Sequence, residues 1–169
     1  MRTRQMGGGD RRMLVVVCDK GEEAVAALTG AVREHGIRAA QVTAVGGFGQ
    51  ARLGFFDRDA RNYAPIPVGE QVEVLSLVGD VAEQDDQPVV HLHAVLGRRD
   101  GSTIGGHLLR GEVWPTLEVI VAEVGPELTK RFRLRGLRIF VDQPVQHLPA
   151  SHPHCIQVSD RRRKRDLVG

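Results

Sequence analysis

Apolar and polar residues alternate along most of this chain, and one stretch switches to a helical period. Met13 to Cys18 (MLVVVC) is a short apolar run that reads as a strand. Asp19 and Glu22 follow at capping-box spacing, with Asp19 as N-cap and Glu22 at the third helical position. Ala24, Val25, Leu28, Ala31 and Val32 then recur at helical intervals. The spacing predicts a helix running to about His35 and stopped by Gly36. Its apolar stripe suits it to cover one face of a sheet. His35 reads as an end residue compatible with the helix dipole.

After the helix the pattern returns to strands. Ile37 to Gly49 begins extended and ends in Gly46-Gly47-Phe48-Gly49. No phosphate-binding helix motif follows, so a tight turn or bulge is expected there. Ala51 to Asp57 reads as a strand, Arg58 to Asn62 as a turn, and Tyr63 to Val68 as an edge because of Pro65 and Pro67. In Glu70 to Val81, alternation puts Val72, Val74, Ser76 and Val78 on one face and Glu73, Leu75 and Leu77 on the other. Apolar residues on both faces predict a strand that is largely covered. Gln84 to Gln87 reads as a polar, exposed loop. Glu112 to Val124 resumes a strand pattern, with Trp114-Pro115 marking a bulge or an edge. Lys130 to Val141 begins by alternating basic and apolar residues, which predicts a strand with one positive face. A solvated face is preferred there over a nucleic-acid surface. One helix among many short strands gives an α+β class: a mostly antiparallel β-sheet with one main covering helix.

Composition sets the boundaries. Met1 to Asp10 is polar and Gly-rich, so residues 1–12 are expected to form a disordered leader. Residues 13–141 form the expected domain, and 142–169 a loosely ordered basic tail. A length of 169 residues fits one domain, and 41% apolar residues suffice for a core. No apolar run approaches the ~18 residues of a membrane span, and no signal-peptide pattern is present. Cys18 and Cys155 make no disulfide framework, so a reducing, cytoplasmic setting is expected. The net charge of +2 demands no nucleic-acid partner, although Arg161 to Arg165 is a continuous basic run.

The candidate chemistry lies between Pro88 and Gly111, which hold three of the seven histidines. His91 and His93 sit two apart in an apolar run, so on a strand both imidazoles leave the same side. Asp100-Gly101 is a hairpin signal, and the chain returns from Ser102 to Leu109 carrying His107. A three-residue loop, Arg99 to Gly101, sets His93 opposite His107 and puts all three histidines on one face. Opposed residues have Cβ atoms about 4.5–5.5 Å apart and diagonal ones about 7–8 Å. Both spacings let imidazoles close on one ion with Zn–N bonds of about 2.0–2.1 Å. A two-residue or four-residue loop sends His107 to the other face, and a bulge at Gly105-Gly106 restores it. Spacing leaves these registers open, and ordinary core or surface histidines remain the alternative. Three protein ligands leave a tetrahedral ion one open position, as in catalytic zinc, and no cysteine is spaced to close it. His152-Pro153-His154-Cys155 is a second metal-binding candidate, ranked lower because it lies in the tail.

Several stretches carry a family resemblance. They are the helix and strand up to Gly46-Gly47, then ARLGFFD, EVLSLVG, HLHAVL and DGSTIGGHLLRGEV, together spanning about Met13 to Val124. On these residues the chain resembles the PPC domain, the plants-and-prokaryotes-conserved domain that also occurs in plant AT-hook nuclear-localised proteins. The hairpin match is the most specific, because both histidine elements and the Gly-Gly-His come together. The resemblance implies a PPC-like α+β fold that assembles as a homotrimer. In prokaryotic members it implies a metal, zinc, on histidines matching His91, His93 and His107. It also brings a DNA-binding label. The plant AT-hook has no counterpart here: Leu137 follows Arg135-Gly136, and Arg161 to Arg165 contains no Gly or Pro. From Gly125 onward the chain departs from the family pattern.

Two functions follow as expectations. The first is a trimeric, metal-binding regulatory protein that contacts DNA or another protein; the basic tail favours it, since each neutralised phosphate strengthens binding. The second is a zinc-dependent, hydrolase-like enzyme that uses the open metal position to lower the pKa of a bound water to about 7. That chemistry needs a general base, for which Asp100, Glu112, Glu73 and Glu118 are the candidates, although no His-Glu-x-x-His motif occurs. The first reading is preferred, and no catalytic residue is assigned.

Overall fold

The computed structural model describes residues 1–7 and 12–124. The elements in order are β1 (Arg2–Met6), β2 (Met13–Asp19), α1 (Ala24–Glu34), β3 (Ala40–Asp57), β4 (Asn62–Val68), β5 (Val72–Gln84), β6 (Gln87–Gly97) and β7 (Thr103–Glu123). They form a mostly antiparallel seven-stranded sheet with one helix, as the alternation predicts, in the order β1-β2-β7-β6-β5-β3-β4. β3 also pairs with β7, from Ala40 opposite Glu123 to Gly54 opposite His107. β5 pairs with β3, β6 with β5, and β6 with the start of β7. These four strands therefore close a circuit of pairings. Among the described residues, no helix is long and apolar enough to cross a membrane.

Ala24, Leu28, Ala31 and Val32 bury the predicted stripe of α1 against a core that includes Leu14, Val16, Val42, Val119 and Val121. The helix begins later than the capping-box spacing suggests. Asp19 does donate its N–H to Glu22 Oε2 at 2.8 Å. Gly21 and Glu22, however, exchange backbone hydrogen bonds with Val113 of β7, which holds this turn outside the helix. Glu23 is the N-cap instead, and its carboxylate accepts from the N–H groups of Val25 and Ala26.

Two further differences, and the choice between turn and bulge at the glycines, follow from pairing. Residues 2–6, expected in a disordered leader, form β1 with Arg2 opposite Val17 and Met6 opposite Met13. All five side chains are exposed, so the sequence carries no apolar pattern there, and backbone bonds to the edge of β2 hold the strand. β3 runs unbroken through Gly46 to Gly49, where its register against β7 shifts on either side of Phe48. Those glycines are therefore a bulge and not a chain reversal. In β5 a bulge between Val74 and Ser76 reverses the expected faces from Ser76 onward. Leu77 joins Val72 and Val74 in the core, while Leu75 and Val78 are 55% and 50% exposed in the single chain.

Gln84 to Gln87 is a tight hairpin. Asp85 and Asp86 have φ of 50° and 60°, the conformation of a two-residue turn that matches strand twist. At the centre of the β3–β7 pairing Phe48 is fully buried. A Cβ on Gly111 would lie 2.7 Å from its ring, so only glycine lets β7 pass there. The predicted strand at 130–141, the basic tail at 142–169 and the 152–155 candidate lie outside the described residues.

Candidate metal centre

The β6–β7 hairpin takes one of the registers that spacing left open. Arg98 N–H donates to Ser102 O at 2.8 Å, and Gly101 N–H to Arg98 O at 3.0 Å. The loop is therefore Arg99 to Gly101. Gly101 has φ of 84°, and Asp100 steadies the turn by accepting from the Ser102 N–H at 2.9 Å. His93 then lies opposite His107. Gly105 and Gly106 pair in step with Val95 and Ala94, so no bulge is needed between β6 and β7.

This register brings His91, His93 and His107 together. Each offers one ring nitrogen, and the three nitrogens lie within 4.8 Å of one another. Ring centroids are 4.9 Å apart for His91–His107, 5.1 Å for His91–His93 and 5.3 Å for His93–His107. Nitrogens on a tetrahedral zinc sit about 3.4 Å apart, from bonds of about 2.05 Å. Closing on one ion requires the ring nitrogens to draw together by up to about 1.4 Å. His91 Nε2 is buried and has no hydrogen-bond partner, a costly arrangement that ligation of a cation would relieve. Burial, and then the neighbouring His91, hold the His93 pKa below the ordinary 6.5. Both causes disfavour the imidazolium, so His93 is neutral at pH 7, the form a metal needs.

Two residues that the sequence reading passed over complete the surroundings. Asp80 of β5 is the register partner of His91, and its Oδ2 lies 3.6 Å from His91 Nδ1. A carboxylate behind the distal nitrogen of a ligand histidine fixes its tautomer and ring orientation. Tyr63 of β4 stacks on His107, with ring centroids 4.4 Å apart and planes 21° from parallel. A signal for Asp80 did exist. Once Asp85-Asp86 is taken as a two-residue turn, counting back along both strands pairs residue 80 with residue 91. Tyr63 carried none, because it reaches His107 across β3.

The four acids expected as a general base do not join the histidines. Asp100 is held in the hairpin loop, where the Ser102 bonds keep its carboxyl below the usual range. Glu112 accepts from Gln50 Nε2 at 2.6 Å. Glu73 lies opposite Gly97, and Glu118 opposite Val17 and Val45.

The Plants and Prokaryotes Conserved (PCC) domain, also abbreviated PPC, matches residues 5–125. The chain belongs to this family. Solved relatives agree with the fold of this PCC-domain chain. One is a plant- and prokaryote-conserved protein from Pyrococcus horikoshii, 26% identical, with a TM-score of 0.73 over 85% of this chain and 97% of that one. A metal-containing protein from Archaeoglobus fulgidus is 31% identical, with a TM-score of 0.69 over 81% and 96%. A putative DNA-binding protein from Bacteroides thetaiotaomicron is 25% identical, with a TM-score of 0.69 over 78% and 90%. No curated protein matches the PCC-domain chain significantly.

Proposed function

We propose that this PCC-domain chain is a regulatory metal-binding protein that holds one zinc ion on His91, His93 and His107, assembles as a homotrimer and contacts DNA. The convergence of three imidazoles on one sheet face carries the reading. The donors suit the ion: imidazole nitrogen is a good zinc ligand, His91 Nε2 is buried without another partner, and Asp80 stands behind the same ring. Bound zinc would supply a Lewis acid with one position left open. The metal-containing Archaeoglobus relative supports the metal. Support for DNA is the Bacteroides relative's description and the basic run Arg161 to Arg165. A hydrolase has less support, since none of its four candidate bases joins the histidines.

The trimer is supported by uncovered apolar surface around the site. Val78 is the register partner of His93, and Val95 lies two residues from it on the same face. Leu75, Val78 and Val95 are all exposed in the single chain. Clustered apolar residues of this kind mark interaction sites, and most soluble oligomers are symmetric assemblies of one chain. Light scattering of the zinc-loaded protein at micromolar concentration is expected to give the mass of three chains; a single-chain mass would refute the assembly. In the same sample, duplex DNA is expected to bind with an affinity that falls as salt rises. Deleting residues 160–169 should weaken that binding and flatten the salt slope. Absence of any salt-dependent binding by the full chain would remove DNA from the proposal.

Asp80→Asn is expected to lower zinc affinity about 10–100-fold, the usual cost of losing a carboxylate that orients a ligand histidine. Competition against a zinc chelator reads this directly. An unchanged affinity would mean that Asp80 does not orient His91.

A further inference from the structure

A second cluster lies on the same face of the sheet, outside the three-histidine group. Arg52 of β3 and Arg110 of β7 are register partners. Like charges directly opposed on neighbouring strands repel, so this pairing costs stability unless something neutralises it. Among the described residues, no ion pair or side-chain hydrogen bond engages either guanidinium. The two line a cavity of about 240 Å³ with Gln50, Pro67, Gly69 and Glu112. Glu112 is the acid among these, and its carboxylate is engaged by Gln50 at 2.6 Å. Two cations against one occupied carboxylate leave the cavity net positive.

The rungs of the β3–β7 ladder show where the cavity sits. Gly54 is opposite His107, Arg52 opposite Arg110, and Gln50 opposite Glu112. Residues two apart on a strand share a face, so Gln50, Arg52 and Gly54 point to one side. The register shift between Arg52 and Leu53 leaves Leu109 as the extra residue on β7 and keeps Arg110 on that same side. The arginine rung is thus one step, about 7 Å along the strands, from the His107 rung.

We propose that Arg52 and Arg110 form a binding site for the phosphate group of a small ligand. Guanidinium groups present planar forks of N–H donors that match tetrahedral oxyanions, and their bonds to phosphate are charge-assisted. A phosphomonoester carries nearly two negative charges at pH 7, which matches two opposed cations better than a singly charged carboxylate does. The site stands apart from the metal reading, because neither arginine is needed to hold an ion on the histidines.

Inorganic phosphate is the probe, titrated into the full chain at constant ionic strength. Calorimetry and melting temperature are both read, since a ligand that binds only the folded state raises the latter. Saturable binding is expected in the wild type, with acetate at equal ionic strength giving none. Arg52→Gln and Arg110→Gln should each weaken phosphate binding tenfold or more and abolish the phosphate-dependent rise in melting temperature. Without phosphate, neither variant should melt below the wild type, because each substitution relieves the repulsion. His107→Ala should bind phosphate as the wild type does, so loss of the metal site and loss of this one are separable. Unchanged phosphate affinity in both arginine variants would overturn the proposal, as would equal binding of acetate. Duplex DNA that displaces phosphate and itself loses affinity in both variants would overturn the small-ligand assignment in favour of a nucleic-acid backbone.

Discussion

Purified His107→Ala should lose most of its zinc, with affinity at least about a hundredfold below the wild type. In the proposed site His107 is the ligand from β7, and its removal leaves only His91 and His93 on β6. Losing a mere outer partner of a ligand histidine costs about 10–100-fold, so losing a ligand costs more. The fold should survive, because His107 is only partly buried and the hairpin loop is closed by its own bonds. Metal analysis after dialysis against a chelator, with circular dichroism as the folding control, gives the answer. Stoichiometric zinc in this variant would rule out the site. Loss of zinc only in His154→Ala would move it to residues 152–155. Acidity acts on the same nitrogens. Zinc takes neutral imidazole, so affinity should fall as pH drops below about 6.5. His93, held below 6.5, keeps its neutral form to lower pH than an ordinary histidine. In the metal-free protein the unfolded chain takes up that proton first. The stability linked to His93 is therefore present above about 6.5 and lost as pH falls through its folded value. Tighter zinc binding at pH 5 than at pH 7 would exclude imidazole ligation.

Phe48→Ala is expected to cost about 3–5 kcal/mol, a large share of the ~5–15 kcal/mol that holds a domain together. Phe48 is fully buried and heads the largest side chains of the core. Its ring packs against the backbone of Gly111, so truncation opens a cavity between the two longest strands. β3 cannot easily collapse into that space, because it pairs on one side with β5 and on the other with β7. Urea unfolding at fixed protein concentration should show a lower midpoint with an unchanged slope. A loss under about 1 kcal/mol would mean that the site repacks.

Some of this was legible in the chain alone. Helical spacing at Ala24, Leu28, Ala31 and Val32 identified the helix and its buried stripe. Asp100-Gly101 announced the β6–β7 hairpin, and alternation around it put His91 and His93 on one face. These signals are local: a turn residue, a cap or a repeat period acts within a few positions, and such preferences are written in neighbouring side chains. The histidine stretches also carried the family resemblance. Tertiary structure decided what depends on a partner strand. The bulge in β5 turned Leu77 into the core and Val78 outward, since one extra residue reverses every side chain beyond it. β1 formed on backbone bonds to β2, for which no side-chain pattern exists. Only the three-residue loop chose the face of His107, and only the long β3–β7 pairing brought Tyr63 onto His107 and Arg52 opposite Arg110. Register between distant strands is set by the summed fit of many residues, each weakly selective, and no single position along the chain announces it.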